Sequence, residues 1–330
     1  MRACRRSLPP SLLPHNSPSL SDRISPLQPL MPDAPMSIVV VKLGGAAITD
    51  KSDPDTLSPS IDALMDGIAH AYHQVLRPSG RRLVLVHGAG SFGHPPAKKY
   101  QVKGGWTAAA AGDEAAGDRV KFGMALTRQR VLELHLAVLQ RLHAPDRGMP
   151  VLSVSTYDTV ETDGGLVGEA SGARLVGRVR QVLDAGFVPL LFGDAVLDRS
   201  LGSTILSGDA LVYHLAARMP AVRRCVFVTD VAGIFTQDPK RCPDAVLIRT
   251  MGCREADGGG GGALDADDAA SVDDVTGSMR SKWQWAKRIV TDAVQVREVA
   301  ICQGSDSARA IGYEQGDESD AAGDWTVIVR

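Results

Sequence analysis

The strongest constraint on the fold lies between Arg82 and His94, in the stretch RLVLVHGAGSFGH. Residues 83–86 form a short and uniformly apolar run, which is typical of a buried strand. Three glycines follow within six residues, so the backbone there can approach a ligand and direct its N–H groups at it. Such N–H groups bind anions, especially where a helix starts nearby. The sequence therefore predicts a strand that ends in an anion-binding turn.

A second strand ends in the same way earlier in the chain. The stretch IVVVKLGG at residues 38–45 is apolar except for Lys42, and it runs directly into a glycine pair. Because the carboxyl ends of parallel strands meet at one edge of a sheet, the two turns should lie side by side. One brings Lys42 and the other His94, which predicts a phosphate site at that edge.

From residue 37 onward, strand and helix patterns alternate, which indicates βαβ units. The predicted fold is an α/β protein with three layers, α/β/α, around a mainly parallel central sheet. The predicted strands are residues 38–43, 83–87, 151–154, 188–192, 225–228, 299–302 and 326–329. The predicted helices are residues 61–76, 108–143 with a break, 173–185, 210–217 and 279–293.

Composition excludes several classes of function. The chain has 330 residues, of which 44% are hydrophobic and 22% charged, enough for one large domain or two lobes with a full core. The net charge of −2 gives no general attraction to nucleic acid or to anionic membranes, and no apolar run has the length of a membrane helix. Five cysteines without a CxxC pair disfavour a disulfide framework or a zinc site and favour a reducing compartment.

Two parts of the chain differ in composition from the rest. Residues 1–36 are rich in Pro and Ser and more basic than acidic, which predicts a disordered tail. The same character also fits an organelle transit peptide, although the prolines would break its amphipathic helix. Residues 37–330 form the predicted domain, and residues 253–274, with five consecutive glycines and many acids, form a predicted surface insertion.

Other charged residues are also candidates for the site, and each of them, like Lys42, has an ordinary structural interpretation. Lys42 could extend its side chain from the end of the strand so that the ammonium group reaches solvent, and Lys51 could be an ordinary surface lysine. In the triplet Ser207-Gly208-Asp209, Asp209 could cap a helix or could hold lysines in position. Lys282 falls in the first turn of another predicted helix, whose N–H groups would form a second phosphate cradle.

Taken together and in this order, the segments KLGG, HGAGSFGH, SGD, TDVAGIFTQDP and DVTGSMRSK resemble the amino acid kinase family. HGAGSFGH followed by Pro95 and the segment AKKY resembles, more narrowly, the branch of isopentenyl phosphate and fosfomycin kinases, which carries a histidine where His94 stands. The resemblance covers residues 37–330, and the chain has no Walker A pattern.

The resemblance implies transfer of the γ-phosphoryl group of ATP, accompanied by Mg²⁺, to the phosphate of isopentenyl phosphate. It implies that Lys42 and Lys282 hold the β- and γ-phosphates, and that Lys51 stabilises the transferring group. His94 would donate to the acceptor phosphate and Asp209 would orient the lysines. The acceptor would contact Gly88, Gly93, His94 and Gly208, whereas ATP would contact Lys42, Gly44, Gly45, Ala89, Asp230, Gly277, Ser278 and Lys282. No dedicated metal site is expected.

The resemblance further implies an acceptor-binding N-terminal part, an ATP-binding C-terminal part, a homodimer and a cytoplasmic location. Three residues depart from the family pattern. Ala89 replaces a common glycine, which is harmless if its φ is negative, while Ala232 and Ser278 are expected to alter nucleotide contacts. Trp106, Phe122 and Met124 are candidates both for the pocket of the acceptor's apolar tail and for ordinary core.

Two alternatives stay open at this point. The first is a kinase of the same fold that acts on fosfomycin or on a carboxylate such as acetylglutamate; His94 argues against the carboxylate. The second is a non-catalytic module that binds a small molecule. Against that alternative stands the joint presence of Lys42, Lys51, His94, Asp209 and Lys282, since a decayed enzyme would have lost at least one of them.

Overall fold

The structure is a computed structural model, and it describes residues 36–110, 113–239, 241–253, 277–313 and 323–330. In chain order, the strands of this part are β1 (Ile38–Leu43), β2 (Arg82–His87), β3 (Val151–Ser153), β4 (Thr162–Asp163), β5 (Leu166–Val167), β6 (Val188–Phe192), β7 (Asp194–Asp198), β8 (Gly202–Leu206), β9 (Val222–Thr229), β10 (Ile234–Phe235), β11 (Leu247–Ile248), β12 (Thr250–Gly252), β13 (Glu298–Gln303) and β14 (Thr326–Val329).

The helices of the same part are α1 (Gly45–Ile48), α2 (Ile61–His70), α3 (Gly90–Lys99), α4 (Trp106–Ala110), α5 (Glu114–Leu142), α6 (Thr156–Thr159), α7 (Glu169–Asp184), α8 (Gly208–Arg218), α9 (Gly277–Asp292) and α10 (Ser307–Gly312). A π-helical segment, Ala71–Leu76, continues α2, and short 3₁₀ turns occupy Val102–Gly104 and Gly304–Asp306.

Eight strands form the central sheet in the order β12-β14-β13-β9-β1-β2-β6-β3. The neighbouring pairs from β13 to β3 are all parallel, and β14 is antiparallel to β13. The predicted α/β class with a mainly parallel sheet is therefore confirmed. All seven predicted strands belong to this sheet, with ends that differ from the prediction by at most a few residues.

Two apolar layers cover the faces of the sheet, so the fold has the predicted three layers. Successive side chains of β1 point to opposite faces. Ile38 and Val40 pack in the core against α7, α8 and α9, whereas Val39 and Val41 pack in the core against α2 and α5. Lys42 follows the parity of Ile38 and Val40, so the strand directs it to the face covered by α8.

Two features of the fold differ from the sequence-based expectation. Strands β4, β5, β7 and β8 form a separate small sheet that was not predicted, because each strand is short and its hydrophobic alternation is interrupted by polar residues. The glycine turn also continues directly into helix α3, although Gly93, Pro95 and Pro96 are poor helix formers. The predicted break in residues 108–143 lies between α4, which ends at Ala110, and α5, which Asp113 caps by accepting from the Ala115 amide.

Residues Asp33–Arg330 form one compact unit. The predicted tail, residues 1–36, lies outside the described residues except for Met36, and the predicted insertion, residues 253–274, lies outside them except for Cys253. The domain assignment for these two segments therefore stays a prediction. Within the described ranges, none of the helices combines the length and the apolar character needed to cross a membrane.

Candidate functional site

The candidate site lies where four neighbouring parallel strands end. Strands β9, β1, β2 and β6 are adjacent in the sheet, and their carboxyl ends lead into polar or glycine-rich turns. The turn after β1 starts at Gly44, the turn after β2 at Gly88, and β9 is followed by Asp230. The ends of parallel strands are where open α/β sheets bind ligands.

Lys42 and Asp209 form an ion pair at the floor of this site. Their Nζ and Oδ1 atoms are 2.8 Å apart, and both side chains are almost completely buried. Asp209 is in the first turn of α8, which Ser207 caps by accepting from the Ala210 amide at 3.1 Å. A Cβ on Gly208 would lie 3.5 Å from Lys42 Cε, so the lysine stem packs against this turn. Asp209 thus fixes the position of a buried cation.

Lys51 and Asp230 form a second ion pair at the rim of the site. Lys51 Nζ is 3.0 Å from Asp230 Oδ2, and the Thr229 hydroxyl donates to the other carboxylate oxygen at 3.2 Å. The Lys51 side chain is 61% exposed, so the pair itself contributes little stability. An exposed, flexible cation held loosely at the rim can move toward a bound anion.

Lys282 brings the third ammonium group to the same place. It lies in the first two turns of α9 and is 6% exposed. Burial, and next the positive charge of Lys42, lowers its pKa to about 8, while Asp209 and Asp230 oppose this shift. The charges of both ion pairs therefore act on Lys282, which shows that the three predicted lysines and two predicted aspartates converge.

The lowered pKa of Lys282 predicts a pH dependence in the free enzyme. Below pH 8 the ammonium form can attract a phosphate, and above it the charge is lost; kcat/KM for ATP should therefore fall about tenfold per pH unit above pH 8. Initial rates at limiting ATP between pH 6.5 and 10 measure this profile. In Lys282→Arg the guanidinium stays charged, so the fall should disappear even if the overall rate is lower. An unchanged fall in that variant would assign the titration to another group.

His94 faces this cluster from the first half of α3. The imidazole is exposed, yet the surrounding protein removes part of its hydration, and this, followed by the charges of Lys42 and Lys282, lowers its pKa. The ring is therefore neutral at pH 7 and offers one N–H donor. Its electrostatic coupling to two of the lysines places it beside them.

The glycines of the first two turns allow two main-chain segments to pack directly on each other. A Cβ on Gly45 would lie 2.6 Å from Gly90 Cα, and one on Gly44 would lie 2.7 Å from the Val228 carbonyl oxygen. Gly90 itself has a φ of +53°, and a Cβ there would be 2.5 Å from Thr49. These glycines are thus required by packing, whatever ligand they also contact.

Gly45→Ala should lower the free energy of unfolding by about 3 kcal/mol. The added Cβ would meet the Cα and N atoms of Gly90, which belong to the main chain and cannot move independently. Gly177→Ala on α7 is the matched control, because a Cβ there meets nothing within 4 Å. That change should instead raise the free energy of unfolding by about 0.5–1 kcal/mol, because alanine has a higher helix propensity than glycine. Urea denaturation of both variants measures the difference, and equal effects would show that the turns can separate without cost.

The backbone amides of the second turn are not equally available. The Gly88 amide donates to the Leu43 carbonyl at 2.9 Å, and the Gly93 amide donates to the Ala89 carbonyl at 3.0 Å. Gly88 and Gly93 could therefore touch an anion through their Cα groups rather than their amides. The amides of Ala89 and Gly90 have no hydrogen-bond acceptor within the described part of the chain. Ala89 has a φ of −74°, which satisfies the condition for replacing a glycine there.

A small apolar cluster lies beside α3 and is separate from the two main core layers. It contains Val102, Met124 and Ala195, with Ala97, Tyr100, Trp106, Tyr157 and Ile205 packed at its edge. Met124 and Trp106, two of the three predicted tail-pocket candidates, belong to it. Phe122 is 58% exposed and contacts the edge of the Tyr100 ring instead.

Gly277 and Ser278, the remaining predicted ATP contacts, open helix α9.

Two polar groups that border the site are not among the predicted site residues. Asp194 is buried after β6, where burial raises its pKa to about 6 despite the Arg128 guanidinium 3.1 Å away. His135 on α5 bonds to His87, the last residue of β2. The available signal for His135 was a polar residue within the apolar stripe of a long helix; its partner, 48 positions away, could not be inferred.

Comparisons with known proteins identify one family. Residues 37–302 match the amino acid kinase family. The isopentenyl phosphate kinase of Methanothermobacter thermautotrophicus is 33% identical over 251 residues, which cover 74% of this chain and 84% of the relative. The isopentenyl phosphate kinase of Arabidopsis thaliana is 33% identical over 256 residues, covering 66% of this chain and 70% of the relative.

Solved structures give the same result. An X-ray structure of isopentenyl phosphate kinase superposes with a TM-score of 0.66 at 26% identity, covering 88% of this chain and 100% of that chain. A product complex of the isopentenyl phosphate kinase of T. acidophilum superposes with a TM-score of 0.64, also at 26% identity, with the same coverage. The similarity therefore extends over nearly the whole described chain.

Proposed function

The chain belongs to the amino acid kinase family, and from this premise we propose that it phosphorylates isopentenyl phosphate with ATP and forms isopentenyl diphosphate. The curated relatives that support this reaction are isopentenyl phosphate kinases. Within the site, the observation that carries the proposal is the convergence of three lysines and His94 around the carboxylates of Asp209 and Asp230. That excess of positive charge suits a reaction between two anions.

The chemistry requires positioning and charge stabilisation more than proton removal. The acceptor phosphate is already an anion, so its oxygen can attack the γ-phosphorus of ATP without a strong base, while the bond to the β-phosphate oxygen breaks. Lys42, held by Asp209, and Lys282 would hold the β- and γ-phosphates from two sides. Lys51 would follow the transferring group from the rim, and His94 would donate its N–H to the acceptor phosphate.

ATP would enter as its Mg²⁺ complex, so the metal arrives with the substrate. Within the described ranges, no group of three or more His, Cys, Asp or Glu side chains could hold a metal ion by itself. Asp209 and Asp230 are each paired with a lysine. The protein's own contribution to charge stabilisation is therefore the ammonium groups.

The small apolar cluster beside α3 would receive the hydrocarbon tail of the acceptor. Met124 and Trp106 lie there, and Ala97 at the edge of the cluster belongs to the helix that carries His94. An apolar tail of five carbons needs a short apolar pocket, whereas fosfomycin and acetylglutamate present more polar surface. The cluster therefore favours the isoprenoid acceptor over the two alternatives.

The test is an ATP-dependent phosphorylation assay of the full chain with four acceptors offered side by side: isopentenyl phosphate, dimethylallyl phosphate, fosfomycin and acetylglutamate. We expect rapid turnover of isopentenyl phosphate, alone or with its isomer. Turnover of fosfomycin or acetylglutamate alone would keep the phosphate site and overturn the acceptor assignment. Absence of turnover with all four, together with measurable ATP binding, would favour a non-catalytic binding module.

We also propose that the protein is a homodimer assembled through α5 and β3. Strand β3 is the last strand of the central sheet and pairs only with β6 among the described residues. Next to it, Leu132, Leu136 and Leu152 are each more than 40% exposed. A second copy would cover both the apolar surface and the free strand edge.

Leu132→Asp combined with Leu136→Asp should convert the dimer to a monomer, because a charge would be buried without a partner in the interface. Light scattering after size-exclusion chromatography measures the mass. Leu166→Asp, at a residue of β5 that is 75% exposed, is the control and should leave the mass unchanged. A wild-type chain that is monomeric at micromolar concentration would contradict the proposal.

The cytoplasm is the location that we propose for this reaction. The four cysteines of the described chain are free thiols, as is usual in a reducing compartment. Microscopy of the tagged full chain, and of a version without residues 1–36, tests the location. Import of the full chain alone into an organelle would assign residues 1–36 as a transit peptide instead.

A further inference from the structure

We propose that a chain of hydrogen bonds through His87, His135 and Ser153 orients the Ala89 amide toward a phosphate group of the ligand. The proposal rests on the proposed function, because it concerns the glycine turn that would hold that phosphate. It makes His87 and His135 positioning residues: neither contacts the reacting atoms, and both act through the peptide between Gly88 and Ala89.

Three contacts connect the surface to the glycine turn. Ser153 Oγ on β3 is 2.7 Å from His135 Nε2, and His135 Nδ1 is 2.9 Å from His87 Nε2. His87 Nδ1 is then 2.9 Å from the Gly88 carbonyl oxygen. Both imidazole rings are buried; His87 stacks on the ring of Phe192 and His135 packs at a tilt against the same ring, which restricts their rotation.

Only one arrangement of protons satisfies all three contacts. A carbonyl oxygen can only accept, so His87 must carry its proton on Nδ1 and must accept at Nε2. His135 then carries its proton on Nδ1 and accepts at Nε2 from the Ser153 hydroxyl. Burial lowers the pKa of His87 to about 4 and that of His135 to about 3, so both rings are neutral at physiological pH. Neutral rings have one proton each, as this arrangement requires.

The last contact fixes the direction of one backbone N–H group. In a trans peptide the C=O and the N–H point in opposite directions within one plane. The bond from His87 holds the Gly88 carbonyl toward the protein interior, and the N–H of Ala89 must therefore point the opposite way. That amide has no acceptor within the described residues and lies at the start of α3, which also carries His94. It is thus held ready to donate to an anion.

The alternative proton arrangement would disturb this turn. If His87 carried its proton on Nε2, the lone pair of Nδ1 would face the lone pairs of the Gly88 oxygen, and the peptide would be driven to rotate. His135 prevents this by donating to Nε2 of His87, and Ser153 in turn fixes the proton of His135. A change at His135 should therefore weaken phosphate binding without any contact between His135 and the ligand.

Nuclear magnetic resonance of the full chain tests the proton arrangement directly. Selective ¹⁵N labelling of histidine shows which ring nitrogen carries the proton, and we expect Nδ1 for both His87 and His135. Labelling glycine carbonyl carbons and alanine nitrogens limits the amide spectrum to the four Gly-Ala pairs of the sequence, which end at Ala46, Ala89, Ala173 and Ala263. Titration with isopentenyl phosphate, and separately with an unreactive imido analogue of ATP, should move the Ala89 amide proton downfield with one of the two ligands.

Variants of His135 separate positioning from general destabilisation. In His135→Phe the donor to His87 is lost. The dissociation constant of the ligand that shifts the Ala89 amide signal should then rise about tenfold, because the loss of one hydrogen bond to a phosphate weakens binding by about that factor. In His135→Asn the side-chain amide takes the place of Nδ1, so affinity should return to within about twofold of wild type. His143→Phe is the matched control, because His143 directly follows the same helix and bonds to Val151 rather than to His87.

Each outcome is decisive. A proton on Nε2 of His87 in the wild type, no Ala89 response to either ligand, or equal affinities in His135→Phe and wild type would overturn the inference. The tautomer measurement does not depend on the variants, so it remains valid if His135→Phe fails to fold. Turnover of isopentenyl phosphate by the wild type is measured alongside. Absence of turnover would count against the proposed function, whereas the proton arrangement and the Ala89 response would still test the inference by themselves.

Discussion

Replacing His94 with alanine is expected to lower kcat with isopentenyl phosphate by about a hundredfold to a thousandfold, the usual cost of removing one preorganised donor to a developing charge. The neutral imidazole donates one N–H, and the lowered pKa keeps it neutral at pH 7. In His94→Ala that donor is missing, while the lysines that would hold ATP are unchanged. Steady-state kinetics with both substrates varied, and the dissociation constant of the ATP analogue, measure the effect.

The contrast between the two substrates is what makes this test specific. ATP-analogue affinity should stay within about twofold of wild type, since the assigned role of His94 is at the acceptor. Lys98→Ala is the matched control, because Lys98 is exposed on the same helix and should have nearly wild-type kinetics. Equal kcat in His94→Ala and wild type would remove His94 from the mechanism, and a parallel loss of ATP affinity would move it to the nucleotide side.

Lys42→Met should abolish measurable turnover and lower the free energy of unfolding by about 3–5 kcal/mol, as expected when a buried carboxylate loses its partner. Lys42 and Asp209 are 2.8 Å apart and almost fully buried, so water cannot replace the missing cation. The double variant Lys42→Met with Asp209→Leu removes both charges. Its stability should return to near that of wild type, while its activity should remain lost.

This double variant separates the two roles of the pair. Urea denaturation gives the stability of each variant, and the phosphorylation assay gives the activity. If activity returned together with stability, Lys42 would be a structural residue only. The exposed pair provides the control for stability: Lys51→Met should change the free energy of unfolding by no more than about 1 kcal/mol, because Lys51 is largely in water.

The elements that sequence analysis predicted best have strong local signals. Strands β1, β2 and β6 are mostly apolar runs, and such runs identify buried parallel strands wherever glycine or charge ends them. Lys42 and His94 were expected at one edge of the sheet because their strands end there, whereas the family resemblance added Lys51, Asp209 and Lys282. The charges of these residues then act on one another, as the lowered pKa values of Lys282 and His94 show.

What could not be predicted depends on contacts between distant positions. Gly88 and Gly93 were expected to contact the acceptor through their backbone, but whether an amide is available depends on which carbonyl lies beside it in three dimensions. Helix α3 forms through glycines and prolines because tertiary packing outweighs their low propensity. His135 meets His87 only through the packing of α5 against the sheet, which no local pattern indicates.

The position of β1 in the sheet has a consequence for synthesis. The first strand of the domain to be made lies at the centre, between β2 and β9. Its pairing with β2 can form early, but its other edge must wait until residues 222–229 have left the ribosome. Until then an apolar strand edge of the nascent chain is unpaired, and such edges are the usual substrates of chaperones and the usual starting points of aggregation. Efficient production of this protein should therefore depend on chaperone supply during translation more than on the stability of the finished fold.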